Sequence, residues 1–295
     1  KNTSARSKIL LTDWMQTFYD DQKRRGVRGV KLLGTVSRLI TTYIGKNKVR
    51  MGDIDKEFCI GFIRWLQSDY KTTWGNPLSP KSMSDYVGYF STALNAAVRA
   101  DIIPENPFMS LTPTERIKVP ESKREFLTVD EIKTLIATEC PREDVKRAYL
   151  FACYCGLRVG DVTNLCWKDI SVNGGRHFVS VVMQKNSKPI SLPLPAKALS
   201  WLPERREPES SVFSLPSHSV LRKHLQKWAE QAGLGKHLHF HLSRHTYGTM
   251  LITAGVDLYT ASKMMGHADV RPTQIYAKII DKKKEEAVSL IDKAF

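Results

Sequence analysis

Apolar positions recur three and four residues apart through much of the first hundred residues, the spacing of one face of an α-helix. Val30, Leu33, Val36, Ile40 and Ile44 make one such stripe. Trp14, Phe18 and Tyr19 belong to another that stops at Gly26, with Thr12 as its expected cap. Phe58, Phe62, Ile63, Trp65 and Leu66 follow Asp53 and Asp55, either of which can start a helix. Met83, Val87, Phe90, Leu94 and Val98 follow Ser79-Pro80, a capping hydroxyl with proline at the first helical position. Four amphipathic helices predict a small bundle.

The pattern then breaks. Pro104, Pro107, Pro113 and Pro120 punctuate a polar stretch from about 103 to 124, which predicts an extended linker. Periodicity resumes at Thr128-Val129-Asp130-Glu131, a capping box. The expected organisation is a helical domain over 1–110, a linker over 111–124 and a second domain over 125–295. In the latter, helices are expected over 129–138, 145–155, 159–167, 219–231, 241–253 and 258–265. Between them residues 177–183 and 189–194 alternate, and Lys185-Asn186-Ser187-Lys188 joins them as a β-hairpin. Asn173-Gly174-Gly175 is a turn leading into the first strand, too short and wrongly placed for a phosphate-binding loop. The fold class is mainly α with a small antiparallel β-sheet (α+β).

Charge adds a partner. Lys and Arg number 45 against 30 Asp and Glu, a formal net charge of +15. Residues 1–117 carry 18 basic and 11 acidic side chains, and the rest of the chain carries 27 and 19. Two basic halves fit a polyanion held along an extended surface, although such a charge also serves solubility alone. No run approaches the roughly 18 apolar residues of a membrane helix. Residues 1–7 lack the apolar core of a signal peptide. Cys59, Cys140, Cys153, Cys155 and Cys166 form no C-x-x-C pair and, being odd in number, suggest no disulfide framework. A reducing cytoplasm is the expected compartment. A chain that begins at Lys1 rather than Met is expected to be processed or a fragment, leaving room for a further upstream segment.

Five segments place polar residues where a core is expected. In Cys155-Gly156-Leu157-Arg158-Val159-Gly160-Asp161, Gly156 can end one helix and Arg158 start the next, with Asp161 one turn on to hold the guanidinium. A plain helix corner with a surface ion pair explains the same residues. Lys185 at the hairpin tip is either a solvated charge or, in a groove, a proton donor, with Lys188 as its rival. In His241-Leu242-Ser243-Arg244-His245, His241 and Arg244 share a helix face, and His245 lies near it. Paired histidines at this spacing can bind zinc, but no third ligand stands at a suitable spacing. Gly266 ends a helix and sends His267 into a loop; Tyr276 follows on a short expected helix, where packing is the bland alternative.

In order and spacing these elements resemble the tyrosine recombinases of the phage-integrase type. The resemblance is carried by CGLRVGD, the hairpin lysine in QKNSKPISLPL, HLSRHTYGT and MMGHADVRPTQIYAK. It covers about 125–280 well, and by architecture the first domain is similar to the family's SAM-like core-binding domain. One departure is Ser243, where the family often has leucine before the second arginine. All six polar positions are filled, and the resemblance implies a role for each. Tyr276 attacks phosphorus to give a 3′-phosphotyrosine and a free 5′-hydroxyl. Arg158, Arg244 and His267 stabilise the transition state, Lys185 protonates the leaving oxygen, and His241 helps manage the tyrosine proton. No metal or other cofactor is implied. The implied partners are double-stranded DNA, three further copies in a homo-tetramer on paired sites, and accessory DNA-bending proteins, all at the nucleoid. The apolar-edged tail over 279–295 is expected to dock on its own domain or, as the analogy favours, on a neighbouring protomer. The leading expectation is the integrase of a mobile element. A type IB topoisomerase shares the chemistry without paired sites, and a non-catalytic DNA-binding regulator is the alternative of another class.

Overall fold

The structure, a computed structural model, describes residues 5–120, 125–184, 187–267 and 269–276. It divides into two compact units, Lys1–Ser122 and Lys123–Phe295. Among the described residues no helix is long and apolar enough to cross a membrane.

The first unit holds α1 (Leu11–Arg24), α2 (Val30–Ile44), α3 (Lys56–Ser68) and α4 (Pro80–Arg99). Asp55 caps α3 by accepting from the Phe58 amide at 2.8 Å, and Ser79 caps α4 through the Ser82 amide at 3.1 Å. Thr12 caps nothing, because α1 starts a residue earlier, where backbone pairing replaces a side-chain cap. The Leu11 amide donates to the Val49 carbonyl at 2.9 Å and the Met51 amide to that of Ile9 at 2.8 Å. The apolar stripes meet in one core in which Phe90 stands edge-on to both Phe62 and Phe108, each at 5.4 Å between centroids.

The proline-punctuated stretch after α4 is packed onto this unit as far as Ile117. Ile102, Ile103, Phe108 and Leu111 are buried in its core, and Ile117 packs against it. Buried Asn106 ties the turn down, its amide nitrogen donating to the Asn95 side chain at 2.7 Å and its oxygen accepting from the Phe108 amide at 3.1 Å. Prolines here shape a folded-back strap, which local composition alone reads as extended chain.

The second unit is built around α6 (Glu143–Cys155), buried along most of its length, with α10 (Phe240–Thr253) packed against it. Tyr149 of α6 stands edge-on to Trp228 of α9 (His218–Gln231) and to Phe240, at 5.9 and 5.8 Å. The other helices are α5 (Val129–Ala137), opened by the Thr128–Glu131 capping box, α7 (Val159–Thr163), α8 (Ala196–Leu199) and α11 (Leu258–Met264). The helix expected over 159–167 stops at Thr163. There the Val212 amide donates to Leu165 and the Trp167 amide to Ser210, at 2.8 and 3.1 Å, drawing the chain out straight.

The sheet has three antiparallel strands in the order β1 (Ile170–Asn173), β2 (Arg176–Val182), β3 (Pro189–Pro193), one more than the expected hairpin. The added strand pairs across the Gly174-Gly175 turn, with Asn173 opposite Arg176 and Ile170 opposite Val179. Only Ile170 of its four residues is buried, so it shows no alternation to read.

One ion pair secures the strap. Glu115 meets Lys56 of α3 at 2.9 Å and accepts from the Thr112 amide at 2.7 Å, and these contacts hold its carboxyl at about 2, below its ordinary value of 4.5. A carboxyl lowered by folding adds stability that is complete above the unfolded value and is lost as pH falls through the folded one. Glu115→Gln should therefore unfold more easily than the native chain near neutral pH. The gap should close between pH 4.5 and about 2. Urea titrations across that range check it.

Candidate active site

Gly156 ends α6 at φ +70°, and the Tyr247 ring packs so closely over it that a β-carbon has no room. Two residues on, Arg158 stands at the start of α7, half-buried, with Nη1 3.2 Å from the Met183 sulfur. Asp161 does not close an ion pair on it. Its Oδ1 accepts from the Gln184 amide at 3.0 Å, which ties the end of the β2 segment to α7. Burial pulls the Arg158 guanidinium below its ordinary value, and the Asp161 charge partly offsets this. Because α7 is barely longer than one turn, it adds little dipole, and the side chains carry the positive field.

Arg244 lies on α10 and is 3% exposed. Its Nη1 donates to the Gly156 carbonyl at 2.6 Å, and its Nη2 donates to the Met265 carbonyl just past α11. Burial and then the like charge of Arg158 bring the guanidinium down to about 10, still well above neutral, while Tyr276 and Asp161 act the other way. His267 follows Gly266 out of α11. Its Nδ1 is 2.7 Å from the hydroxyl of the buried Thr273, and its amide donates to the Ser262 carbonyl at 3.0 Å.

Tyr276 closes a 3-10 turn over Arg271–Tyr276 and is 3% exposed. Its hydroxyl lies 3.0 Å from Nδ1 of His245, which is also buried. The expected histidine, His241, is exposed and meets the His245 ring edge-on at 4.7 Å between centroids. Tyr276 packs closely against Gly248, where an added β-carbon would come within 2.6 Å of the ring and 2.8 Å of the hydroxyl oxygen. Burial pushes the phenol of the nearest alternative, Tyr247, well up, which disfavours it as a nucleophile.

Arg158 and Tyr276 thus act electrostatically on the Arg244 guanidinium, and His267 lies two residues beyond the Met265 carbonyl that Arg244 binds. His241 is one ring removed from the tyrosine. Lys185 lies outside the described residues, as does the tail over 277–295; Met183 and Gln184, just before Lys185, are the residues that touch Arg158 and Asp161. Sequence reasoning gave no role to His245, Gly248, Thr273 or Met183. The one available signal was that His245 shares a face with His241. Among the described residues no three His, Cys, Asp or Glu side chains are grouped to hold a metal ion.

The phage integrase family model matches residues 125–283, more than half of the chain, and the phage integrase SAM-like domain matches 10–117. The chain belongs to the phage integrase family, a family of tyrosine recombinases that cleave and rejoin DNA. A tyrosine recombinase of Thermosipho africanus is 29% identical over 265 residues, 85% of this chain and 88% of that protein. Tyrosine recombinase XerC of Escherichia coli O157:H7 is 26% identical over 240 residues, 74% and 79% of the two chains. Among solved structures, the XerH site-specific recombinase in a post-cleavage complex with its palindromic difH substrate superposes with a TM-score of 0.70. It is 16% identical and the match covers 95% of this chain and 85% of that one. A lambda integrase tetramer bound to a Holliday junction gives 0.64 at 19% identity, covering 90% and 79%. At these identities the structures establish the shared fold.

The close seat of Tyr276 over Gly248 predicts a change of sign. Alanine in a helix interior is favoured over glycine by about 1 kcal/mol, whereas overpacking costs about 1–3 kcal/mol. Gly248→Ala should destabilise the native chain and stabilise a Tyr276→Ala chain. Urea unfolding of the four proteins of this cycle would show it; additive effects would contradict the contact.

Proposed function

We propose that this chain is a site-specific DNA recombinase, the integrase of a mobile element, that breaks and rejoins duplex DNA through a 3′-phosphotyrosine at Tyr276. The observation that carries the reading is the buried Arg244 guanidinium, bonded to two carbonyls and flanked by Arg158 and Tyr276. Its other N–H donors suit the non-bridging oxygens of a phosphodiester, on which charge gathers during in-line attack. Arg158 and His267 supply further donors. Lys185 protonates the 5′-oxygen as it leaves, and His241 assists at the tyrosine end. The phosphotyrosine conserves the energy of the broken bond, so resealing requires no nucleotide, metal or other cofactor.

The basic helical domain and the catalytic domain each bind double-stranded DNA. Binding is then steeply salt dependent. Four copies act on paired sites, as the lambda integrase tetramer on its junction supports, with DNA-bending accessory proteins and the tail over 279–295 helping assembly. The enzyme works on the nucleoid in the cytoplasm. Family membership and the filled site favour this over a non-catalytic regulator.

A nicked duplex carrying the repeat that flanks the gene traps the covalent step, because the fragment beyond the nick diffuses away. The native chain should form a protein–DNA adduct that Tyr276→Phe abolishes. An adduct that survives this change would refute Tyr276 as nucleophile. Recombination between two such repeats, without relaxation of plasmids lacking them, separates the recombinase from a type IB topoisomerase.

A further inference from the structure

We propose that His245 takes the phenolic proton of Tyr276 during strand cleavage and returns it during religation, a catalytic role resting on the cleavage chemistry proposed above. A proton acceptor has to stand within hydrogen-bond reach of the hydroxyl it activates. His245 does so, with Nδ1 3.0 Å from the Tyr276 oxygen. The neutral imidazole with its proton on Nε2 accepts at Nδ1, and a tyrosine with an ordinary value near 10 needs such an acceptor at neutral pH.

The pair is held from several sides. His245 is 7% exposed and Tyr276 3%, so the hydrogen bond is sheltered from water. Arg244, the residue before His245, is fastened to the ends of α6 and α11, which sets the rotation of α10 about its axis. Gly248, nearly one turn after His245, leaves the space that the Tyr276 ring and hydroxyl fill. Thr246 accepts from the Leu127 amide at 2.9 Å and fixes the opposite side of the same turn. Among the described residues, the titratable or charged groups facing the imidazole are Tyr276, on its own 3-10 turn, and His241, one turn back on α10. The Arg244 charge is also felt at Tyr276.

The step balances. The bond from the tyrosine oxygen to phosphorus forms as the bond from phosphorus to the 5′-oxygen breaks. The phenolic proton passes to His245 Nδ1, giving an imidazolium, and the 5′-oxygen receives its proton from Lys185. In religation the 5′-hydroxyl returns its proton to the lysine as it attacks, and the departing phenolate recovers the proton from His245. No proton is gained or lost over the cycle.

The test is single-turnover adduct formation on the nicked duplex, from pH 6 to about 10, where tyrosine ionises unaided, with the full chain. Native protein, His245→Ala, His245→Asn and His241→Ala are compared, with DNA binding and unfolding measured for each. Asparagine places an acceptor oxygen near the position of Nδ1 but cannot take up a proton. Both His245 variants should be slower than native by about 100-fold at pH 7, and the gap should narrow towards high pH. His241→Ala should lower the rate without changing the pH profile. A native rate in His245→Asn would reduce His245 to a hydrogen-bonding prop. Faster cleavage in either variant would make it a restraint, and a changed pH profile in His241→Ala alone would move the role to His241. Each of these overturns the proposal. If the native chain itself forms no adduct, the proposed chemistry fails, whatever His245 does.

Discussion

The guanidinium of Arg244 is the tie on which the site depends. Removing a charge from water costs several kcal/mol unless hydrogen bonds replace the lost hydration. Here two backbone carbonyls replace part of it, one at Gly156 after α6 and one at Met265 after α11. A single side chain thereby fixes two helix ends that lie far apart in sequence. Arg158 is two residues beyond the first carbonyl and His267 two residues beyond the second. The positions of these donors follow from where Arg244 binds, and the positive field they build is matched by a phosphate group.

The same tie explains why α10 carries polar residues on buried faces. Ser243 donates to the Phe240 carbonyl at 2.6 Å and Thr246 to that of Leu242 at 2.9 Å, so these two buried hydroxyls are bonded, while the Thr249 hydroxyl has no partner among the described residues. His245 and Gly248 then define a slot for one aromatic ring, and Tyr276 occupies it within a small cluster that includes Tyr247, Ala261 and Met265. The tyrosine is buried, yet its hydroxyl is polarised by an imidazole and lies within the field of Arg244. The packing of this residue is what places its hydroxyl against His245.

Much of this was legible in the sequence, for reasons that can be named. Helices α2, α3 and α4 are one-sided, so their stripes and caps mark them. The order Arg158, Lys185, His241, Arg244, His267, Tyr276 is legible as one motif set, and of these residues Arg158 and Tyr276 act electrostatically on the Arg244 guanidinium. What stayed hidden depends on long-range contacts. In α10 burial runs around most of the helix, so periodicity cannot say which of His241 and His245 faces inward. Strand β1 buries one residue in four and leaves no alternation. The strap after α4 reads as linker from its prolines, because the pockets that receive Ile103 and Leu111 are supplied by distant helices.

On the chemistry proposed here, the Arg244-centred pocket directs one tyrosine, in one polarity, onto DNA. Mass spectrometry of the trapped adduct tests it most directly, after nuclease trimming and digestion with trypsin. Cleavage after Lys263 and Lys278, with Arg271-Pro272 resisting, isolates Tyr276 from Tyr247 and Tyr259, which share the peptide before it. A nucleotide joined through its 3′-phosphate to Tyr276 is the expected product. A nucleotide on the peptide holding Tyr247 and Tyr259, or one joined through a 5′-phosphate, would contradict it.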